Sequence, residues 1–300
     1  MLILISLSRD NYLLGLLIMS LVKQVGMLFA KKWIGGVTIQ DVISEAKKTN
    51  GYGENVIINY LGEDYSDKTK IKQSVATYAK LLSQMKNDAV KGDIAIKPTQ
   101  LGLSISYDLF LSNYRKVVEL ADKDHRFVWM DMEDHMFVDD SVMAYLTLLK
   151  KHKNVGICIQ TKLMRSLWDI KRIAKAGGVI RLVKGAYPAR KGISYFDKAE
   201  VDRNYIKCME YLFNNSKRFM LATHDDKMVD IALKLQKKSR AVVLFGMLKG
   251  IRGSLARKLT VDGEKMYVYI PFGPEWLEYS VRRLKELEHS TLIIRSIISD

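Results

Sequence analysis

Three observations predict an α/β chain folded as a (β/α)8 TIM-type barrel with an N-terminal helical extension. Short β-branched runs alternate with longer amphipathic stretches from residue 55 onward, and the alternation repeats eight times. No GxGxxG follows any of the runs, and an open doubly wound sheet usually stops short of eight strands. The chain has 300 residues, room for a barrel of roughly 250 with a short extension. The division expected is an extension over 1–54 and a barrel over 55–300.

The first strand is expected over Val56–Leu61, with a helix from about Asp67 to Met85. Ile94–Lys97 precedes a helix near Leu109–Ala121, and Phe127–Asp131 one near Asp140–Lys150. Val155–Gln160 leads into Met164–Lys175, and Val179–Val183 reaches Ala199–Asn214 after a longer loop. Phe219–Ala222 precedes Asp226–Lys237, and Ala241–Phe245 a short helix near Ile251–Leu259. Met266–Ile270 is the eighth strand, closed by a helix over Trp276–Leu287.

Ahead of these, residues Met1–Ser20 are rich in Leu and Ile but broken by Arg9-Asp10-Asn11, too short an apolar run to span a bilayer. With no basic segment before it and no small-residue cleavage site after it, a signal peptide is not expected. Leu13–Trp33 suits an amphipathic helix with Leu14, Leu17, Leu21, Val25 and Leu28 on one stripe. Such a helix can pack on the barrel or lie in a membrane interface.

Apolar residues make up 48% and charged residues 27%, enough to build a large core and too apolar for disorder. Four prolines and no low-complexity tract speak against a linker-joined array. The 48 Lys+Arg against 33 Asp+Glu give +15, which favours anionic partners such as phosphate ligands or an anionic membrane surface. The lysines are scattered, and without zinc-finger spacing or an RNP-like motif nucleic acid is not an expected partner. Cys158 and Cys208 have no CxxC spacing, so neither a disulfide framework nor a metal site is expected, and a reducing cytoplasm is the simplest compartment.

Barrel enzymes carry their chemistry at the C-terminal ends of the strands. Lys97, Asp131, Glu133 and Gln160 stand at the ends of strands two to four. Arg181 lies in strand five, which runs into Lys184-Gly185-Ala186-Tyr187; Thr223-His224-Asp225 ends strand six, and Tyr269 lies in strand eight. Each alone reads as a solvated loop residue or a helix cap, but together they converge on one rim. Arg282-Arg283, with Glu286 a turn after Arg282, reads either as a surface i,i+4 pair or as a bidentate clamp for a carboxylate or phosphate.

Arg181-Leu182-Val183-Lys184-Gly185-Ala186-Tyr187 closely resembles the RLVKGAY motif of the proline dehydrogenase family. Lys198–Tyr205, Ala222–Asp225, Tyr269–Gly273 and Arg282-Arg283-Leu284 with Glu286 are similar to further motifs of its short monofunctional members, in the family's order, over roughly Trp33–Glu288. The resemblance implies FAD at the C-terminal face, and oxidation of L-proline to 1-pyrroline-5-carboxylate by hydride transfer to flavin N5. It implies a quinone or other electron acceptor, and a cytoplasmic protein peripheral to the inner face of the cell membrane. By the same resemblance Arg181 approaches N5 and Gln160 the pyrimidine side of the ring. Val183, Lys184, Gly185, Ala186, Thr223 and His224 follow the ribityl, pyrophosphate and adenine portions. Lys97, Arg282 and Arg283 hold the proline carboxylate; Tyr187, Leu248 and Tyr269 wall the ring; Asp131 and Glu286 support ring and clamp.

One motif departs. The family often reads EFQML on strand seven, where this chain has Leu244-Phe245-Gly246-Met247-Leu248, and Lys249 follows in place of a common aromatic. That puts the adenosine contacts in doubt and leaves FMN as the alternative to FAD. The competing readings are a flavin barrel similar to methylenetetrahydrofolate reductase, and a non-catalytic basic subunit that docks a membrane.

Overall fold

The computed structural model describes residues 30–188 and 190–281. Eight parallel strands close into a barrel in sequence order. They are β1 (Asn55–Tyr60), β2 (Gly92–Ile96), β3 (Val128–Met130), β4 (Val155–Gln160), β5 (Val179–Val183), β6 (Arg218–Ala222), β7 (Val242–Leu248) and β8 (Lys265–Phe272). β8 pairs back onto β1, with Tyr269 opposite Ile57, so no strand is left with an open edge. Both strand faces are covered, which is why β4 reads as an unbroken run of six buried residues.

Among the described residues the sheet is surrounded by helices α1 (Ile39–Gly51), α2 (Lys68–Asn87), α3 (Tyr107–Asp122), α4 (Val138–Leu149), α5 (Ser166–Lys175), α6 (Lys198–Asn215), α7 (Asp226–Gln236) and α8 (Gly253–Val261). Asp67, Ser106, Asp197 and Asp225 each accept an orphan backbone N–H at a helix start. α1 was not singled out above, although its signal is present: Thr38 and Asp41 form a reciprocal capping box. The amphipathic helix expected over 13–33 lies outside the described residues except for 30–33. Of the closing helix expected over 276–287, residues 276–281 are described and are helical.

Packing divides into a shell and a plug. The large apolar cluster lies between strands and helices, while Ile57, Ala95, Phe127, Trp129, Met220 and Leu244 form a separate cluster in the barrel interior, joined by Val179, Tyr267 and Tyr269. Trp129 is fully buried, and its indole N–H donates to Asp93 Oδ2 at 3.3 Å. A tryptophan of that size needs a vacancy opposite, and Gly156 on β4 supplies it. A Cβ at Gly156 would meet Trp129 ring carbons and Phe127 at 2.6 Å.

Gly156→Ala therefore overpacks the plug and should lower stability by about 1–3 kcal/mol. Urea unfolding of the variant beside the parent checks this, and an unchanged midpoint would mean that Trp129 can give way.

Candidate active site

A cavity of ≈ 510 Å³ opens at the C-terminal ends of the strands. Of the residues singled out above, Lys97, Asp131, Gln160, Arg181, Val183, Lys184, Gly185, Ala186, Tyr187, Thr223, His224, Asp225, Leu248 and Tyr269 line it, and Glu133 does not. Arg282, Arg283 and Glu286 lie outside the described residues.

Arg181 is the buried centre of the site. It projects inward from β5, 5% exposed, and its guanidinium pairs with the carboxylate of Asp131, which follows β3. The second Asp131 oxygen accepts the Tyr269 hydroxyl at 2.6 Å. The guanidinium also lies over the rings of Trp129 and Tyr269, at 5.7 and 5.4 Å from their centroids. Burial works against the charge on Arg181, but the Asp131 carboxylate outweighs it and holds the group protonated, above its ordinary range. Its other terminal nitrogen, Nη1, is buried and has no hydrogen-bond partner among the described residues. A buried donor left unbonded is expensive, so this one fits an acceptor supplied by a ligand.

A second cation stands at the end of β2. Lys97 Nζ donates to the Tyr187 hydroxyl at 2.8 Å and to Glu63 Oε2 at 3.1 Å. Tyr187 in turn donates to the same Glu63 oxygen at 2.7 Å. Burial opposes the Lys97 charge, and the surrounding tyrosine and carboxylates hold it well above the usual lysine value. Glu63 was missed in the sequence. It follows β1 by three residues, on the rim where the other strand ends were searched, and that position was the available signal.

The β4–β7 side is built for close approach. Gln160 donates its amide to the Glu133 carbonyl at 2.7 Å. Gly185 has φ +104°, and a Cβ there would lie 2.8 Å from Gln160 Oε1, so both backbone shape and space require glycine. Lys184 Nζ bridges Asp202 and Asp225 at 2.5 and 2.6 Å. Burial works against both carboxylates, but Lys184 holds them below the ordinary range. His224 Nε2 accepts the Leu248 N–H at 2.9 Å, and Thr223 Oγ1 accepts the Asp225 N–H at 3.2 Å. At the departing strand-seven position, the room left by Gly246 is taken by Met220, whose sulfur would sit 3.0 Å from an added Cβ.

Tested against a flavin, these residues fit. The orphaned Arg181 nitrogen offers a donor, the Gly185 turn admits a ring close to backbone, and Lys184 offers a cation beside the mouth. A cavity of ≈ 510 Å³ is in the range of sites for molecules of that class.

The family model described as proline dehydrogenase matches residues 42–291. The chain is 30% identical over 260 residues to proline dehydrogenase 2 of Bacillus subtilis (strain 168), covering 86% of each chain. It is 29% identical over 275 residues to proline dehydrogenase of Deinococcus radiodurans, covering 88% of each. Among solved structures, proline utilization A from Bdellovibrio bacteriovorus, inactivated by N-propargylglycine, superposes with a TM-score of 0.84 at 24% identity. That match takes in 96% of this chain and 35% of the longer one, and it shows a shared fold.

Two buried carboxyls give the molecule a pH signature. Burial pushes Glu133 from 4.5 up to about 7, and Asp93 from 3.8 up to about 6. Because both folded-state values are raised, their contribution to stability is full at low pH and is lost as pH rises through those values. The urea midpoint should fall between about pH 4 and pH 7, and Glu133→Gln should flatten the upper part of that slope. A midpoint that rises over this window would contradict the assignment.

Proposed function

Since the chain belongs to the proline dehydrogenase family, we propose that it oxidises L-proline to 1-pyrroline-5-carboxylate with a bound flavin, FAD rather than FMN. Electrons leave to a quinone-type acceptor. The observation that carries the reading is the buried Arg181, which lines the cavity, pairs with Asp131 and has no hydrogen bond to its Nη1 among the described residues. A bound flavin supplies the hydride acceptor at its N5.

Arg181 would hold positive charge beside the ring system, and Asp131 keeps the guanidinium charged and oriented. Gln160 and Gly185 line the cavity and would bound the ring edge. Lys184, with Thr223 and His224, stands on the side that would take ribityl and phosphate groups. FAD is preferred on the strength of the family motif carried by residues 181–187, and the strand-seven departure keeps FMN as the second candidate.

Lys97 has two of its three N–H donors engaged by Glu63 and Tyr187, which leaves one for a substrate carboxylate. Arg282 and Arg283 are the sequence's further candidates for that clamp. Such charge-assisted bonds contribute about 1.5–3 kcal/mol each and fix the ring carbon that gives up hydride. Tyr187, Leu248 and Tyr269 provide the ring-sized wall. The product is an imine, so the amine must be neutral when hydride leaves. Burial beside Lys97 and Arg181 disfavours its protonated form. Support for a membrane-borne acceptor is the net charge of +15, which suits an anionic lipid surface. Among the described residues no helix is long and apolar enough to cross a bilayer.

Anaerobic L-proline should bleach the flavin band of the purified protein and yield an o-aminobenzaldehyde-reactive product. Lys97→Ala should keep the band but raise the proline concentration needed by about tenfold or more. A yellow protein indifferent to proline would overturn the substrate, and a protein that takes up neither FAD nor FMN would overturn the reaction.

A further inference from the structure

The loops after β1, β2 and β3 and the end of β4 are linked through Glu133 and Thr99, and Glu133 does not itself line the cavity. Glu133 lies three residues past β3 and is 3% exposed. Its Oε2 accepts the Thr99 backbone N–H at 2.8 Å and its Oε1 accepts the Thr99 hydroxyl at 2.7 Å. The same hydroxyl oxygen accepts the Asp64 N–H at 2.9 Å, so the relay continues into the loop after β1. On the other side, the Glu133 carbonyl accepts the Gln160 amide at 2.7 Å.

What these bonds hold is the polar lining of the cavity. Thr99 opens a short 3-10 turn, Thr99–Leu101, just past Lys97 and Pro98. Asp64 adjoins Glu63, and its backbone is left-handed, with φ 54°. A non-glycine residue in that region persists only where its surroundings hold it. Glu63 is the acid that receives both Lys97 and Tyr187. Pairing of Ile96 with Met130 and the hydrogen bond from the Asp131 N–H to the Ile96 carbonyl already join the end of β2 to β3, and Thr99 adds the side-chain tie that reaches the turn after Lys97 and the Glu63 loop.

We propose that Glu133 is a positioning residue that sets the affinity of the site for the substrate's carboxylate, by fixing Thr99 and, through it, Lys97 and Glu63. The proposal rests on Lys97 being the cation that meets that carboxylate. Glu133 faces Lys97 from the end of β2, Glu63 from the loop after β1, and Tyr187 from the loop after β5. Burial raises its carboxyl to about 7, opposed by Lys97 and by both Thr99 bonds. Ionised, it accepts from the Thr99 amide and hydroxyl together. Protonated, one of its oxygens becomes a donor, and the two-bond grip on Thr99 is weakened.

The test compares Glu133→Gln, Thr99→Val and the conservative Thr99→Ser in the flavin-loaded full chain. For the first two, KM for proline should rise about tenfold while kcat stays within about threefold, because binding rather than the hydride step is disturbed. The Glu133→Gln effect should be largest near pH 8 and close toward pH 6, where the parent carboxyl is itself protonated. Thr99→Ser, which keeps the hydroxyl, should restore the parent KM. Deuterium exchange should quicken in the segments 61–66 and 97–103 of Glu133→Gln and Thr99→Val. KM within twofold of the parent in both variants, or unchanged exchange in those segments, would overturn the proposal. Should the parent chain fail to oxidise proline, the functional reading falls alone, and the exchange rates still decide whether Glu133 holds these loops.

Discussion

A guanidinium placed inside a barrel must be paired, and the pairing of Arg181 with Asp131 constrains most of what surrounds it. The two residues come from β5 and from the end of β3, with β4 between them. They meet because β4 presents only small residues there, Gly156 beside Trp129 and Cys158 in register with Arg181. Trp129 then forms the floor under the guanidinium and Tyr269 closes the far side through the second Asp131 oxygen. Removing one partner of such a buried pair leaves a bare charge, at about 3–5 kcal/mol. The cation at the cavity base is thereby fixed before any ligand arrives.

The same logic recurs at the rim on a smaller scale. Lys97 is held by Glu63 and Tyr187 on the β1–β2 side, and Lys184 by Asp202 and Asp225 on the β5–β6 side. Each lysine is kept extended over the mouth by acids that a ligand anion can supplement. In the proposed reading, Lys97 stands on the side of a small carboxylate and Lys184 on the side of a longer, phosphate-bearing molecule, with Arg181 between them. A small amino acid and a large cofactor would then lie against one another.

Much of this was legible in the sequence where local signals are strong. β4 and β5 begin and end as their β-branched runs do, bounded by Asn154 and by Gly178. β7 extends past the expected Phe245 to Leu248, because pairing with Tyr267–Tyr269 of β8 continues where β-propensity gives out. α1 was overlooked since its charged sequence dilutes the apolar stripe, although its capping box marks its start. The rim residues were singled out because barrels concentrate chemistry at strand ends and because the strand-five motif is specific, and those among the described residues other than Glu133 line one cavity. Their partners were not: nothing local links Glu63 to Lys97 or Thr99 to Glu133, since those bonds arise only when the parallel register brings distant loops together. Gly246 read as a lost contact, and packing shows Met220 filling the space.

The most direct test of this account is the flavin dissociation constant of a variant in which the central pair is replaced by apolar residues of similar size, Arg181→Met with Asp131→Leu. Replacing both charges together spares the fold the penalty of a lone buried ion. The expected result is a folded protein that binds flavin at least about tenfold more weakly, a difference of roughly 1.4 kcal/mol. Undiminished affinity in that folded variant would contradict the claim that the buried guanidinium organises the site.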